Sequence, residues 1–173
     1  MKRLFLACLA GMLASALPPV AAFAKDDKAG DVKVEVPWSR ATPGGAKVGA
    51  GYLKITNTGS EPDRLMAVES AIAEHVEIHE MKIESGIMRM RKLADGLALP
   101  PGQTVELKPT GYHLMFLGLK GPIEKDKPFA ATLTFQNAGK ISVDFAVAGI
   151  GAMGPGASTS SEKKKSGMRG SHQ

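Results

Sequence analysis

The chain has 173 residues, one cysteine, nine methionines and a formal net charge of +5. Lys2 and Arg3 carry two of those charges and Gly151 to Gln173 carries a further three net, so the stretch from Lys25 to Ile150 is neutral. A neutral body with a basic tail lacks the clustered cationic surface that nucleic acids select. A lone cysteine also excludes a disulfide framework or a thiolate cage.

The N-terminal segment has a short basic start, an apolar run from Leu4 to Leu17, and small residues in Ala22-Phe23-Ala24. That order predicts a secretory signal peptide, residues 1–24, cleaved after Ala24. The run is shorter than the ~20 residues of a spanning helix, and Pro18-Pro19 would break it, so the mature form is expected to have no membrane span. Cys8 leaves with the signal, and the mature protein enters an oxidising space, the periplasm, without a thiol. Residues 25–31 are charged and read as a mobile lead-in. Residues 32–150 are enough for one domain with one core. Residues 151–173, rich in Gly, Ser and Lys, are expected to be a disordered tail.

Within the body, short apolar–polar alternations predict strands at Val32–Trp38, Gly49–Thr56, Arg64–Ser70, Glu74–Met81, Ile87–Leu93, Thr104–Leu107, Tyr112–Leu117, Phe129–Phe135 and Lys140–Ala148. Turn chemistry separates them at Pro43-Gly44-Gly45, Asn57-Thr58-Gly59, Pro100-Pro101-Gly102 and Asn137-Ala138-Gly139. Strands at this spacing indicate an antiparallel sandwich or barrel. Helical periodicity is absent over any long stretch, and Trp38 reads as an edge-of-core aromatic.

Methionine and histidine are concentrated between His75 and Met115. Strand side chains alternate, so His75, Glu77, His79 and Met81 share one face, while Val76 and Ile78 take the other, core-facing one. A loop over Ile83–Gly86 would set Met81 opposite Met88 and His79 opposite Met90. A two-residue turn at Ser85-Gly86 would instead set Met81 opposite Met90. Either register brings Met88 and Met90 to the histidine face, because directly opposed residues share a face. His113 and Met115 repeat the pattern on the next candidate strand, with Tyr112, Leu114 and Phe116 facing away.

Thioether sulfur is a soft neutral donor that Cu(I) accepts alongside imidazole, whereas hard ions such as Mg²⁺ and Ca²⁺ do not select it. Methionine also suits an oxidising space, since it forms no disulfide. Taken singly, a methionine on a strand fills core gaps; two His-x-Met elements and one Met-x-Met element in phase point to metal. A blue-copper electron carrier needs a cysteine thiolate, which the mature chain lacks. No Ser-His-Asp spacing, phosphate loop or CxxC appears, and Glu77 and Glu80 have no placeable carboxylate partner, so an enzyme is not expected.

The segments VEIHEM, GIMRMRKL, VELKPTGYHLMFLGLK and LTF, together with WSRATPGGAKVGAGYLKITNTG from Trp38 to Gly59, closely resemble the periplasmic copper chaperones called PCu(A)C. The resemblance implies a cupredoxin-like Greek-key β-sandwich. It also implies Cu(I) bound by His79, Met90, His113 and Met115, with Met81 and Met88 as alternates, and delivery to the Cu(A)-bearing subunit of a haem–copper oxidase. A thioredoxin-like copper assembly protein is a second implied partner. Many family members end in a Cu(II)-capable tail richer in His and Met; here the tail offers only Met153, Met168 and His172. A copper storage or resistance protein, and a metal-free β-sandwich binding module, are the alternatives.

Overall fold

In the last long strand, Lys140–Ala148, Ile141, Val143, Phe145 and Val147 are buried while the residues between them face outward. This period of two is what a half-buried strand requires, and it recurs through the computed structural model, which describes residues 27–156. The strands are β1 (Asp27–Ala29), β2 (Val32–Arg40), β3 (Val48–Asn57), β4 (Asp63–Glu69), β5 (His75–Glu84) and β6 (Ile87–Lys92). They continue as β7 (Leu97–Leu99), β8 (Thr104–Leu107), β9 (Tyr112–Leu117), β10 (Phe129–Phe135) and β11 (Lys140–Ala148). No helix occurs among the described residues. The signal peptide and the tail beyond residue 156 lie outside them.

The strand order is β6-β5-β9-β8-β3-β2-β11-β10-β4-β7, with β1 on β2 and an additional β9–β3 pairing. β11 joins two layers. Residues 140–145 pair antiparallel with β10, and Ala146–Ala148 run parallel to β2. The sheet thereby folds over itself into a cupredoxin-like β-sandwich. Ile55, Ile78, Leu114 and Phe116 from one layer meet Leu65, Leu99 and Leu133 from the other in a single core.

Two features position the site. At Gly51 of β3, an added Cβ would sit 2.7 Å from Phe116 Cε2 and 3.0 Å from Phe145 Cε1. The absent side chain therefore lets the ring of Phe116, on β9, lie against β3. In β2, Val36 and Pro37 interrupt the pairing with β3 between Glu35 and Trp38. Val36 takes φ 49° there, an unusual conformation for a β-branched residue. The bulge reverses which face the following side chains take. Trp38 thus stands on the outer face, 4.5 Å from Tyr52 between ring centroids.

The described residues depart from two sequence expectations and add one strand that was not expected. Asp27–Ala29, expected within a mobile lead-in, is a strand: it returns from β2 through a Gly30-Asp31 turn, with Ala29 paired to Val32. The start of the expected disordered tail is also packed. Ala152 is buried against Trp38 and Tyr52, and its carbonyl accepts from Arg40 Nε at 2.6 Å. This apolar cluster, apart from the main core, is what Trp38 belongs to. Finally, β7 was not foreseen; three residues between Gly96 and Pro100 are too few to show alternation.

Candidate metal centre

β5 runs between β6 and β9, so its outer face has a neighbour on each side. The β5–β6 link is the two-residue turn Ser85-Gly86, with φ of 52° and 78°. Two positive φ values in succession make the turn whose twist matches a hairpin. This turn selects one of the two registers considered: Met81 pairs with Met90, Ile83 with Met88, and His79 with Lys92. The longer loop, with His79 directly opposite Met90, is not formed, and Met90 lies diagonal to His79 instead. Across the other edge of β5, His79 pairs with His113 and Glu77 with Met115.

His79, Met81, Met90, His113 and Met115 therefore share one outer patch. Val76 and Ile78 of β5, with Leu114 and Phe116 of β9, face the core beneath it. The two imidazole centroids are 5.7 Å apart with ring planes at 52°. The patch is graded in depth. His113 is buried at 6% exposure, Met81 and Met115 are half-buried, and Met90 is 51% exposed. Met88, one pair nearer the turn and 64% exposed, is at the rim, and His75, opposite Leu117, stands at the far end of β5.

Each histidine has one ring nitrogen engaged. His113 Nδ1 lies 3.1 Å from the Gly111 carbonyl oxygen. His79 Nε2 lies 2.8 Å from Glu77 Oε2, and Lys92 Nζ donates to Glu77 Oε1 at 2.7 Å. His79 Nδ1 is the one buried side-chain nitrogen or oxygen among the described residues without a hydrogen-bond partner. The Lys92 hydrogen bond, and next the His79 one, hold the Glu77 carboxyl down at about 2. Burial pushes the His113 imidazole below the usual histidine range; the Gly111 carbonyl opposes this and neighbouring His79 adds to it. The direction at His113 keeps that imidazole neutral and available as a donor at neutral pH.

Among the described residues no group of three or more His, Cys, Asp or Glu is arranged to hold a metal. Beside the two imidazoles, the further donors that the patch presents are the thioethers of Met81, Met90 and Met115. Glu77 and Lys92 are the neighbours bonded to the patch to which sequence reasoning gave no part. The parity that grouped Glu77 with His79 was the available signal, whereas Lys92 could be placed only once the turn was known. Glu80, buried on the opposite face, is bonded to Arg91 and Lys82 and takes no part in the patch. Of the tail residues, Met153 Sδ lies 3.1 Å from an Arg40 guanidinium nitrogen; Met168 and His172 lie outside the described residues.

A family model described as "Putative lipoprotein LpqE-like" matches residues 32–147. The curated "Putative lipoprotein Lxx21020" of Leifsonia xyli subsp. xyli is 31% identical over 119 residues, covering 69% of this chain and 70% of that protein. Among solved structures, the "Copper-bound PCuAC domain from PmoF2" is 28% identical with a TM-score of 0.63, covering 72% of this chain and 98% of that one. The "Apo PCuAC domain from PmoF1" is 30% identical with a TM-score of 0.62, covering 72% and 99%.

Proposed function

This chain belongs to the LpqE-like family, and on that footing we propose that it is an exported copper carrier, holding one Cu(I) ion through His79, His113, Met90 and Met115. The observation that carries this reading is the pair of facing imidazoles with a thioether on either side, all on one sheet face. A metal–nitrogen bond of about 2 Å, added to a ring radius of about 1 Å, places two rings bound at a wide angle with centroids roughly 5–6 Å apart. The observed 5.7 Å fits one shared ion. All four donors are neutral, which suits a monovalent soft ion. The copper-bound neighbour supports the choice of metal.

The depth gradient suits a carrier. Imidazoles at the floor hold the ion, while Met90, on a strand whose six residues are all exposed, can release first to an incoming ligand. Copper then moves by stepwise exchange without opening the sandwich. A cysteine-bearing acceptor wins it because thiolate is the stronger Cu(I) ligand. The Cu(A) centre of a haem–copper oxidase is such an acceptor, and delivery there is the finer part of the proposal. The protein binds and hands on; it does not catalyse. Export is supported by the lipoprotein name of the relative and by the signal pattern of residues 1–24.

Competition with a chromogenic Cu(I) chelator tests the ligand set. His79→Ala and His113→Ala should each weaken binding at least ~10–100-fold, the scale of even indirect losses around a metal. Unchanged affinity in both variants removes the assignment.

A further inference from the structure

The two histidines of the patch are held by partners of one chemical kind. The Glu77 carboxylate and the Gly111 carbonyl can only accept a hydrogen bond. Each must therefore face the protonated nitrogen of a neutral ring, which fixes where each lone pair is left. His79 is protonated on Nε2, 2.8 Å from Glu77, and its lone pair is on Nδ1, which is buried and unpartnered. His113 is protonated on Nδ1, 3.1 Å from Gly111, and its lone pair is on Nε2.

We infer that Glu77 is a positioning residue that, held in turn by Lys92, directs His79 to bind the ion through Nδ1 while His113 binds through Nε2. This rests on the copper reading above. The support is geometric. Glu77 sits two residues from His79 on one strand, and Lys92 is the cross-strand partner of His79. One carboxylate thus spans both, with an oxygen for each. An unpaired buried acceptor is costly, and an ion arriving at Nδ1 satisfies it. A carboxylate behind a ligating imidazole also raises its basicity and fixes its orientation. The backbone carbonyl does the same for His113 without depending on any side chain, so His79 is the tunable half of the pair.

The test uses the full chain labelled with ¹⁵N-histidine, read by two-bond ¹H–¹⁵N correlation at pH 8, metal-free and after anaerobic Cu(I) loading. Expected are an Nε2-protonated His79 and an Nδ1-protonated His113 in the metal-free protein, with loading moving the signals of His79 Nδ1 and His113 Nε2. Glu77→Gln keeps an acceptor oxygen and should preserve the His79 tautomer. Glu77→Ala should mix the tautomers and weaken Cu(I) by about 10–100-fold. Lys92→Leu, on an exposed strand and adding no metal ligand, should give a smaller loss in the same direction and serves if Glu77→Ala fails to fold. Normal uptake with His79 bound through Nε2, or Glu77→Ala with unaltered tautomer and affinity, overturns this inference alone. Wild-type protein that takes up no Cu(I) overturns the copper reading and the ligand assignment with it.

Discussion

The Gly51–Phe116 contact predicts an energetic coupling that can be measured. Phe116 is fully buried and lies edge-on to Phe129 and Phe145, with centroids at 5.3 and 5.8 Å. Truncation to Ala should cost about 3–5 kcal/mol, as for other buried aromatics. Gly51→Ala places a methyl 2.7 Å from Phe116 Cε2 and 3.0 Å from Phe145 Cε1. Overpacking of this kind costs about 1–3 kcal/mol, offset in part by roughly 0.5–1 kcal/mol from replacing a strand glycine. With the Phe116 ring removed, most of the clash goes, so the double variant should be at least ~0.5 kcal/mol more stable than the two single losses added. Urea unfolding with a constant m value gives all three quantities. Strict additivity would show that β3 and β9 do not meet as described, and with them the bed beneath His113 and Met115 would fail.

Copper affinity should hold from pH 8 to about 6.5 and fall below that, because an imidazole must be neutral to bind. His113, held below the usual histidine range by burial, resists protonation while an unfolded chain takes up its proton near ~6.5. Stability of the metal-free protein should therefore also decline as pH drops through and below that value, read by urea midpoints; a flat profile in both measurements contradicts the roles given to the histidines. Met90→Leu should weaken Cu(I) clearly in a chelator competition, whereas Met88→Leu, at the rim opposite Ile83, should change it little; the reverse ranking would favour the unformed register. Mixed with a reduced, metal-free Cu(A)-domain fragment, the Cu(I)-loaded protein should lose its metal to the fragment by NMR while remaining folded. Failure of transfer over hours would favour storage.

Much of the fold was legible because most strands are half-buried and alternate. β8, β9, β10 and β11 have the expected limits, and the in-phase His and Met residues of β5, β6 and β9 do share a face. What was not legible has local causes. β1 and β7 are three residues each, below the length at which a period of two can be seen. The β2 bulge depends on a strained Val36 that no propensity predicts. The hairpin register turned on whether Ser85 accepts a positive φ, which is permissible but not signalled by its side chain. Trp38 read as an edge-of-core aromatic because tryptophan is large and apolar; the bulge sends it to the outer face, where Ala152 folds over it. Lys92 could be matched to His79 only after the register was known, so the Glu77–Lys92 support stayed hidden behind a set of ordinary surface charges.

The most direct measurement of the account is X-ray absorption at the copper edge on the whole chain, loaded anaerobically with one equivalent of Cu(I). The account predicts one tightly held copper per chain with both imidazole nitrogen and thioether sulfur in its first coordination sphere, sulfur falling and nitrogen persisting in Met90→Leu. A copper surrounded by nitrogen and oxygen alone, or a chain that retains no copper after desalting, would contradict it.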